Sequence, residues 1–259
     1  MKRLANCTNE LTFFQNMVTG KNDQRILLIQ AESGYGKTGL MIRFADLCPK
    51  ETIAVRLDLK AAGGLGIAYV FYRIRKVLST YQFLAYEAAI GRFLAPGQSE
   101  VEIRNNDLSG DQSLIQVVLQ GNSETERQLR LSQLQSAFFK DLQQCASPIV
   151  FILDTFNEAT PELQHWISGN FLMEVADNQR LYSVVAGQEV PKPSIEWESL
   201  HHKYCLFAIK DHGVWYEYAK DEGYPFDLKE LGVLVDLFQG VPHLVEKALQ
   251  TVTQNRQSS

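Results

Sequence analysis

The chain has 259 residues, 45% of them hydrophobic, with 25 basic against 30 acidic residues and a formal net charge of −5. A chain of this size and composition can bury a sizeable core, which excludes a disordered protein, and the acidic balance argues against a broad polyanion-binding face. Cys7, Cys48, Cys145 and Cys205 form no C-x-x-C pair and have no histidine at ligand spacing, so neither a disulfide framework nor a zinc site is expected. No apolar run is long enough for a membrane span, and MKRLANCTNE lacks the apolar core of a secretory leader; the expectation is a soluble, cytoplasmic protein with no membrane partner.

The first strong element is RILLIQ at 25–30, an apolar run of the kind a buried parallel strand shows. It leads into AESGYGKTGL at 31–40, which ends in Gly-Lys-Thr as a phosphate-binding loop does but carries Ala31 where G-x-x-x-x-G-K-[ST] has its first glycine. Leu40, Met41, Phe44 and Leu47 then recur at helical spacing. Strand, loop and helix in that order aim backbone N–H groups at phosphate oxygens. Ser33, Gly34, Tyr35, Gly36, Lys37, Thr38 and Gly39 are therefore the candidate nucleotide-binding residues, with Lys37 for the β- and γ-phosphates and Thr38 as a ligand of Mg²⁺. Ala31 is tolerable if its φ stays negative, since one methyl group is then the only change.

A second strand is expected at 52–59 and an amphipathic helix over 67–81, whose Ile67, Val70, Phe71, Ile74 and Leu78 share one face. The turn-rich NNDLSGDQ between two β-like runs predicts a hairpin inserted at about 99–121, and a covering helix follows over 124–145. Ile149 to Leu153 forms an apolar strand ending in Asp154, the candidate Mg²⁺ carboxylate. Four residues on, Glu158 is the candidate for orienting or deprotonating an attacking water. After a helix, a strand at 180–187 ends at Gln188, a candidate reader of the γ-phosphate or the water, and a fifth strand is expected at 203–209. From about Asp211 onward short helices split by Gly223, Pro225 and Gly240 predict a helical lid. His201 and His202 fall on a predicted loop. No histidine forms an i, i+4 metal pair, although His243, directly after Pro242, is placed to approach a nucleotide.

The pattern resembles the STAND NTPases, the NACHT and NB-ARC relatives of the AAA+ proteins, in their bacterial form. The resemblance rests on NELTFFQNMVTGKNDQRILLIQAESGYGKTGLMIRF, FILDTFNEA, VVAGQEVP and FQGVPHLVEKAL, in order across residues 9 to 249. It implies a nucleotide-controlled switch in which Pro242 packs near the adenine. It also implies ATP or ADP with Mg²⁺ as cofactors, a protein partner or effector chain, and nucleotide-dependent homo-oligomers as an option. Ala31, Asn157 and Gln188 depart from the family pattern, the last standing where many members carry a sensor arginine. Binding is therefore expected more firmly than turnover.

The expected fold is α/β: a three-layer P-loop NTPase core over 1–210 with a five-stranded parallel sheet of the additional-strand type, and a small helical lid over 211–259. Three functions compete: a switch with slow or conditional ATP hydrolysis, a non-hydrolysing ATP-binding scaffold, and an AAA+-like ATPase handling nucleic acid. The charge balance and the lack of a recognisable helix-turn-helix lower the nucleic-acid reading. The sequence stops soon after the lid, which fits either a fragment or a subunit whose effector is another chain.

Overall fold

The computed structural model describes residues 5–79, 81–94, 115, 118–119 and 123–257. Five strands, β1 (Ile26–Gln30), β2 (Ile53–Asp58), β3 (Ile149–Asp154), β4 (Leu181–Gly187) and β5 (His201–Cys205), form one sheet in the order β2-β3-β4-β1-β5. Every pairing is parallel. β4 lies between β1 and β3, the position of the expected additional strand.

The strands read as continuous apolar runs because both faces of the sheet are covered. Their period of two divides the side chains between two cores. Leu27, Ile29, Val150, Ile152, Val184 and Ala186 face a cluster built with Phe14, Met17, Leu40, Met41 and Phe44. These last come from α1 (Thr8–Val18) and α2 (Lys37–Asp46), whose Phe14 and Phe44 rings stack at 4.4 Å. Ile26, Leu28, Ile149, Phe151, Leu153 and Val185 face the larger cluster on the other side. Its helices are α3 (Gly66–Val77), α4 (Leu84–Phe93), α5 (Glu124–Gln143), α6 (Pro161–Trp166) and α7 (Leu172–Asp177). Asp141, on α5 and 9% exposed, accepts from the N–H groups of Ala85 and Tyr86 at 3.2 and 2.8 Å, so α5 satisfies donors that the start of α4 leaves open.

After β5 the chain forms a helical unit of α8 (His212–Asp221), α9 (Leu228–Leu237) and α10 (Pro242–Gln257) with a cluster of its own around Trp215, Leu231, Val235, Val245 and Leu249. Asp211 caps α8 through Gly213 N–H, and Asp227 with Glu230 forms a capping box on α9. Ile209 ties this unit to the end of the sheet: its N–H donates to Gly240 O at 2.8 Å and its carbonyl accepts from Trp215 Nε1 at 2.7 Å.

Several expectations need correction. His201 and His202 lie within β5, not on a loop: Ile26 and Leu27 pair with them in register, and His202 stacks on Phe13 at 4.4 Å. The strand begins at 201 and ends at Cys205 because β1, its partner, sets the register; the polar residues are tolerable at a sheet edge. The inserted hairpin expected at about 99–121 falls mostly outside the described residues. Ile115, Val118 and Leu119 are described and are helical, with Ile115 and Val118 buried against the α3–α5 side. Their spacing of three and four residues serves a helix face, and burial on that one face overrides the β-branched composition that suggested a strand. Among the described residues no helix is long and apolar enough to cross a membrane.

Candidate functional site

Because the sheet is parallel, the C-terminal ends of its strands open on one edge. The loop after β1, the turn after β3 and the tip of β4 meet there. The loop continues β1 by one more ladder bond, Ala31 N–H to Gly187 O at 3.1 Å, before it turns. Ala31 is 6% exposed and is not among the residues with positive φ, so the alanine sits in ordinary backbone and its methyl group is packed. The glycine requirement falls further along, at Gly34 with φ +84° and Gly36 with φ +90°, the left-handed region that a side chain disfavours. Gly36 immediately precedes α2, so the first free N–H groups of that helix face the space enclosed by the loop.

Lys37 Nζ donates to Ala31 O at 2.6 Å and to Glu32 O at 2.8 Å, which holds the ammonium against the loop. Partial burial lowers its pKa from the ordinary lysine value, opposed by the negative charges of Asp154 and Glu32. Thr38 follows on the first turn of α2.

The loop opens into a cleft of about 850 Å³ shared with the helical unit. Ser33, Gly34, Tyr35, Gly36, Lys37, Thr38 and Gly39 line it, together with Glu158, Gln188, Pro242 and His243. Asp154, 8% exposed, lies instead on a neighbouring cavity of about 500 Å³ that it shares with Thr38, Asp58 and Thr155. Thr38 lines both spaces. The candidate metal residues, a threonine hydroxyl and a carboxylate, are hard oxygen donors of the kind that suits Mg²⁺. Among the described residues no group of three or more His, Cys, Asp or Glu gathers around a point, so a cation here would need most of its ligands from a bound phosphate and water.

The turn after β3 is held in an unusual backbone. Thr155 has φ +58°, uncommon for a β-branched residue, and Phe156–Glu158 form a single 3₁₀ turn. Thr155 N–H donates to Asp154 Oδ1 at 2.9 Å, and Thr155 Oγ1 donates to Asp58 Oδ1 at the end of β2. Lys60 N–H closes the clasp on both Asp58 Oδ1 and Thr155 Oγ1. On the other flank Asn157 Oδ1 accepts from Gln188 N–H at 2.9 Å, and Gln30 Nε2 donates to Gln188 O at 2.8 Å. Gly187 is required at this tip, since a Cβ would stand 2.2 Å from Glu189 O. Glu158 and Gln188 themselves are exposed to the cleft.

The helical unit touches the loop directly. His243 N–H, in the first turn of α10, donates to Gly34 O at 3.0 Å. A Cβ on Gly34 would come within 3.4 Å of Val241 Cγ1 and 3.6 Å of His243 Cβ. Pro242 opens α10, where a missing N–H costs nothing.

Sequence reasoning did not find the far end of the cleft. Asn6 and Cys7 line it from the segment before α1, Phe207 from the link after β5, and Trp215, Tyr218 and Glu246 from the helical unit. Phe207 is 75% exposed, a large apolar face open to the cleft. Tyr218 OH donates to Glu246 Oε1 at 3.1 Å. Burial, reinforced by the charge of Glu10, pushes the Cys7 thiol up to about 12, so it acts as packing and not as a nucleophile. The available signal was the aromatic pair Trp215 and Tyr218 at i, i+3; nothing local announces Asn6 or Cys7, whose place depends on how the N-terminal segment runs past the helical unit.

No model of a protein family matches the sequence, and no curated protein matches it either. Among solved structures the chain is similar to Cdc6p from Pyrobaculum aerophilum, with a TM-score of 0.55 at 13% identity, over 100% of this chain and 64% of that one. The Aeropyrum pernix Orc1 protein, solved in complex with DNA, gives a TM-score of 0.45 at 10% identity over 86% of this chain and 50% of its own. This chain thus spans about 64% of the length of the first of these proteins. With the strand order and the loop after β1, the likeness to Cdc6p gives the fold: an α/β P-loop NTPase core with a helical unit after its last strand.

Proposed function

We propose that the protein is an Mg-ATP-binding ATPase in which the nucleotide, held between the phosphate loop and the helical unit, controls where that unit sits. The carrying observation is that one cleft is lined by both parts and bridged by the hydrogen bond from His243 N–H to Gly34 O. A ligand that rearranges the loop acts on α10 through that bond, and only differential contact with two arrangements can shift an equilibrium between them. In this reading residues 211–259 act as a lid on a core of residues 1–210.

Within it the residues take distinct roles. Loop N–H groups and Lys37 receive the phosphates, and Thr38 and Asp154 hold Mg²⁺, which would neutralise phosphate charge. Glu158 orients a water, Gln188 faces the terminal phosphate as a neutral hydrogen-bonding group, and Pro242 packs near the base. Gln188 brings no positive charge to the transition state, so slow turnover, or turnover completed by an arginine from a neighbouring copy or partner, is the expected behaviour. A nucleotide-controlled switch of the STAND kind in cytoplasmic signalling or defence fits this weak catalysis.

A second reading, an ATPase that handles nucleic acid, fits the same fold equally well. The net charge of −5 that counted against it describes the whole surface and not one face.

The test is Mg-ATP binding and phosphate release on one preparation over a range of protein concentrations, with Glu158→Gln alongside and a salt series with single- and double-stranded DNA. Glu158→Gln is expected to bind Mg-ATP as the wild type does and to lose about 100-fold in turnover. A specific rate rising with concentration supports assembly. Binding without turnover favours the scaffold, and DNA affinity falling steeply with salt favours the second reading. Absence of Mg-ATP binding overturns the proposal.

A further inference from the structure

Asn157 stands between two parts of the site that the sheet ladder does not join. Its Oδ1 accepts from Gln188 N–H at 2.9 Å, and its Nδ2 donates to Glu158 Oε1 at 3.3 Å. The chemistry fixes this orientation: a backbone N–H can only donate, so the amide oxygen must face Gln188 and the NH₂ is left for the carboxylate. Among the described residues Asn157 is the one hydrogen-bond partner of the Glu158 side chain.

The tie is anchored at both ends. Gln188 O is gripped by Gln30 Nε2, so the backbone on both sides of the Gln188 Cα is fixed, to the turn after β3 on one side and to β1 on the other. Gly187 leaves the room that Asn157 uses, since a Cβ at 187 would stand 3.2 Å from Asn157 Oδ1. The clasp of Thr155, Asp58 and Lys60 N–H pins the near end of the turn to β2. The Glu158 carboxylate, exposed and otherwise unrestrained, therefore takes its position from the tip of β4.

We propose that Asn157 is a positioning residue that ties the Glu158 carboxylate to the tip of β4, so that a terminal phosphate engaging Gln188 moves or steadies Glu158 through Asn157. This rests on the reading of Gln188 and Glu158 as the groups facing that phosphate. The neutral amide is essential to the device. An aspartate would keep an oxygen for Gln188 N–H but would set a second negative charge against Glu158, replacing a donor with a repulsion.

The experiment compares Asn157→Asp and Asn157→Ala with the wild type by equilibrium Mg-ATP binding and single-turnover hydrolysis. It adds Asn157→Asp in a Glu158→Gln background and the ¹⁵N–¹H signals of the Asn157 side-chain amide, assigned by their loss in Asn157→Asp. The expected result is turnover reduced about 10–100-fold with Mg-ATP affinity within about twofold of wild type, the scale seen when a supporting hydrogen bond is removed. Asn157→Asp is expected to add nothing to the residual rate of Glu158→Gln, because it acts through that carboxylate. The amide signals should shift in Glu158→Gln and should respond to Mg-ATP but not to Mg-ADP.

Unchanged turnover, effects that add in the double variant, or an affinity loss matching the rate loss would overturn the proposal. So would amide signals indifferent to Glu158→Gln. If nothing binds Mg-ATP, the ATPase reading falls, while the Glu158→Gln shift in free protein still decides whether the tie exists. If Mg-ATP binds without turnover, the difference between Mg-ATP and Mg-ADP at the Asn157 amide decides it.

Discussion

Replacing Lys37 with alanine is expected to weaken Mg-ATP binding at least about 100-fold, equivalent to about 2.8 kcal/mol, while leaving the melting temperature close to that of the wild type. The ammonium lies against the loop through the carbonyls of Ala31 and Glu32, so it is held where a phosphate at the α2 N-terminus would meet it. Glu32 is exposed, so water can reach its carbonyl, and the space that the half-buried Lys37 side chain leaves beside the buried Ala31 carbonyl opens on the cleft, so the fold loses little. Arginine should not rescue, because its planar fork does not match a point charge held by two converging carbonyls. The check is calorimetric titration of wild type, Lys37→Ala and Lys37→Arg with Mg-ATP, beside their thermal melts. Wild-type affinity in Lys37→Ala would mean that the loop is not where the nucleotide binds.

Gly240→Ala is expected to be the most damaging small substitution in the helical unit, at about 2–4 kcal/mol of stability, with weaker Mg-ATP binding following from a displaced α10. Gly240 has φ +69° directly after Gln239 at φ +52°, the reversal that brings α9 round to α10. A Cβ there would stand 2.3 Å from Ile209 O and 2.6 Å from Ile209 C, both backbone atoms that cannot swing aside. Ile209 is also the residue that holds Trp215 and Gly240, so relief of the clash must open the joint between sheet and helical unit. Gly223→Ala supplies the comparison. At φ +75° with nothing within 4 Å, it should cost only the left-handed backbone strain, about 1 kcal/mol. Denaturant melts of the two variants separate strain from collision; equal losses would contradict the close packing at Ile209.

Why some of this was readable in the sequence and some was not follows from how local each signal is. The loop and its flanking strand and helix were legible because the glycines, the lysine and the apolar run lie within about twenty residues and each obeys a local constraint. Ala31 was the one discordant letter, and the structure puts it in ordinary backbone, with the left-handed positions at Gly34 and Gly36. Asp154 was legible for the same reason, as the polar end of an apolar strand. The placing of β4 between β1 and β3 rested on analogy with P-loop folds, since strand order is decided by packing between elements far apart in the chain.

The misses have the opposite character. β5 is HHKYC, a polar stretch with only β1 to define it, and its burial is incomplete. α4, Leu84–Phe93, went unread because its start is satisfied by Asp141 from another helix and not by a cap of its own. Asn157 was noted only as a departure from a family pattern. Its two hydrogen bonds involve Glu158 beside it and the backbone of Gln188, and the second of these exists only once β3 and β4 are paired. The cleft residues Asn6, Cys7 and Phe207 likewise acquire meaning only when the N-terminal segment, the link after β5 and the helical unit surround the same space.

The central claim, that nucleotide in the cleft acts on the loop and the helical unit together, is tested most directly by hydrogen–deuterium exchange of the wild-type protein with and without saturating Mg-ATP. The amides of residues 33–39 and of residues 240–246 should slow together, and the response of the second segment should weaken with Mg-ADP. Protection confined to the loop, with the first turn of α10 exchanging as before, would contradict the account, because the bond from His243 N–H to Gly34 O would then join two parts that do not move as one.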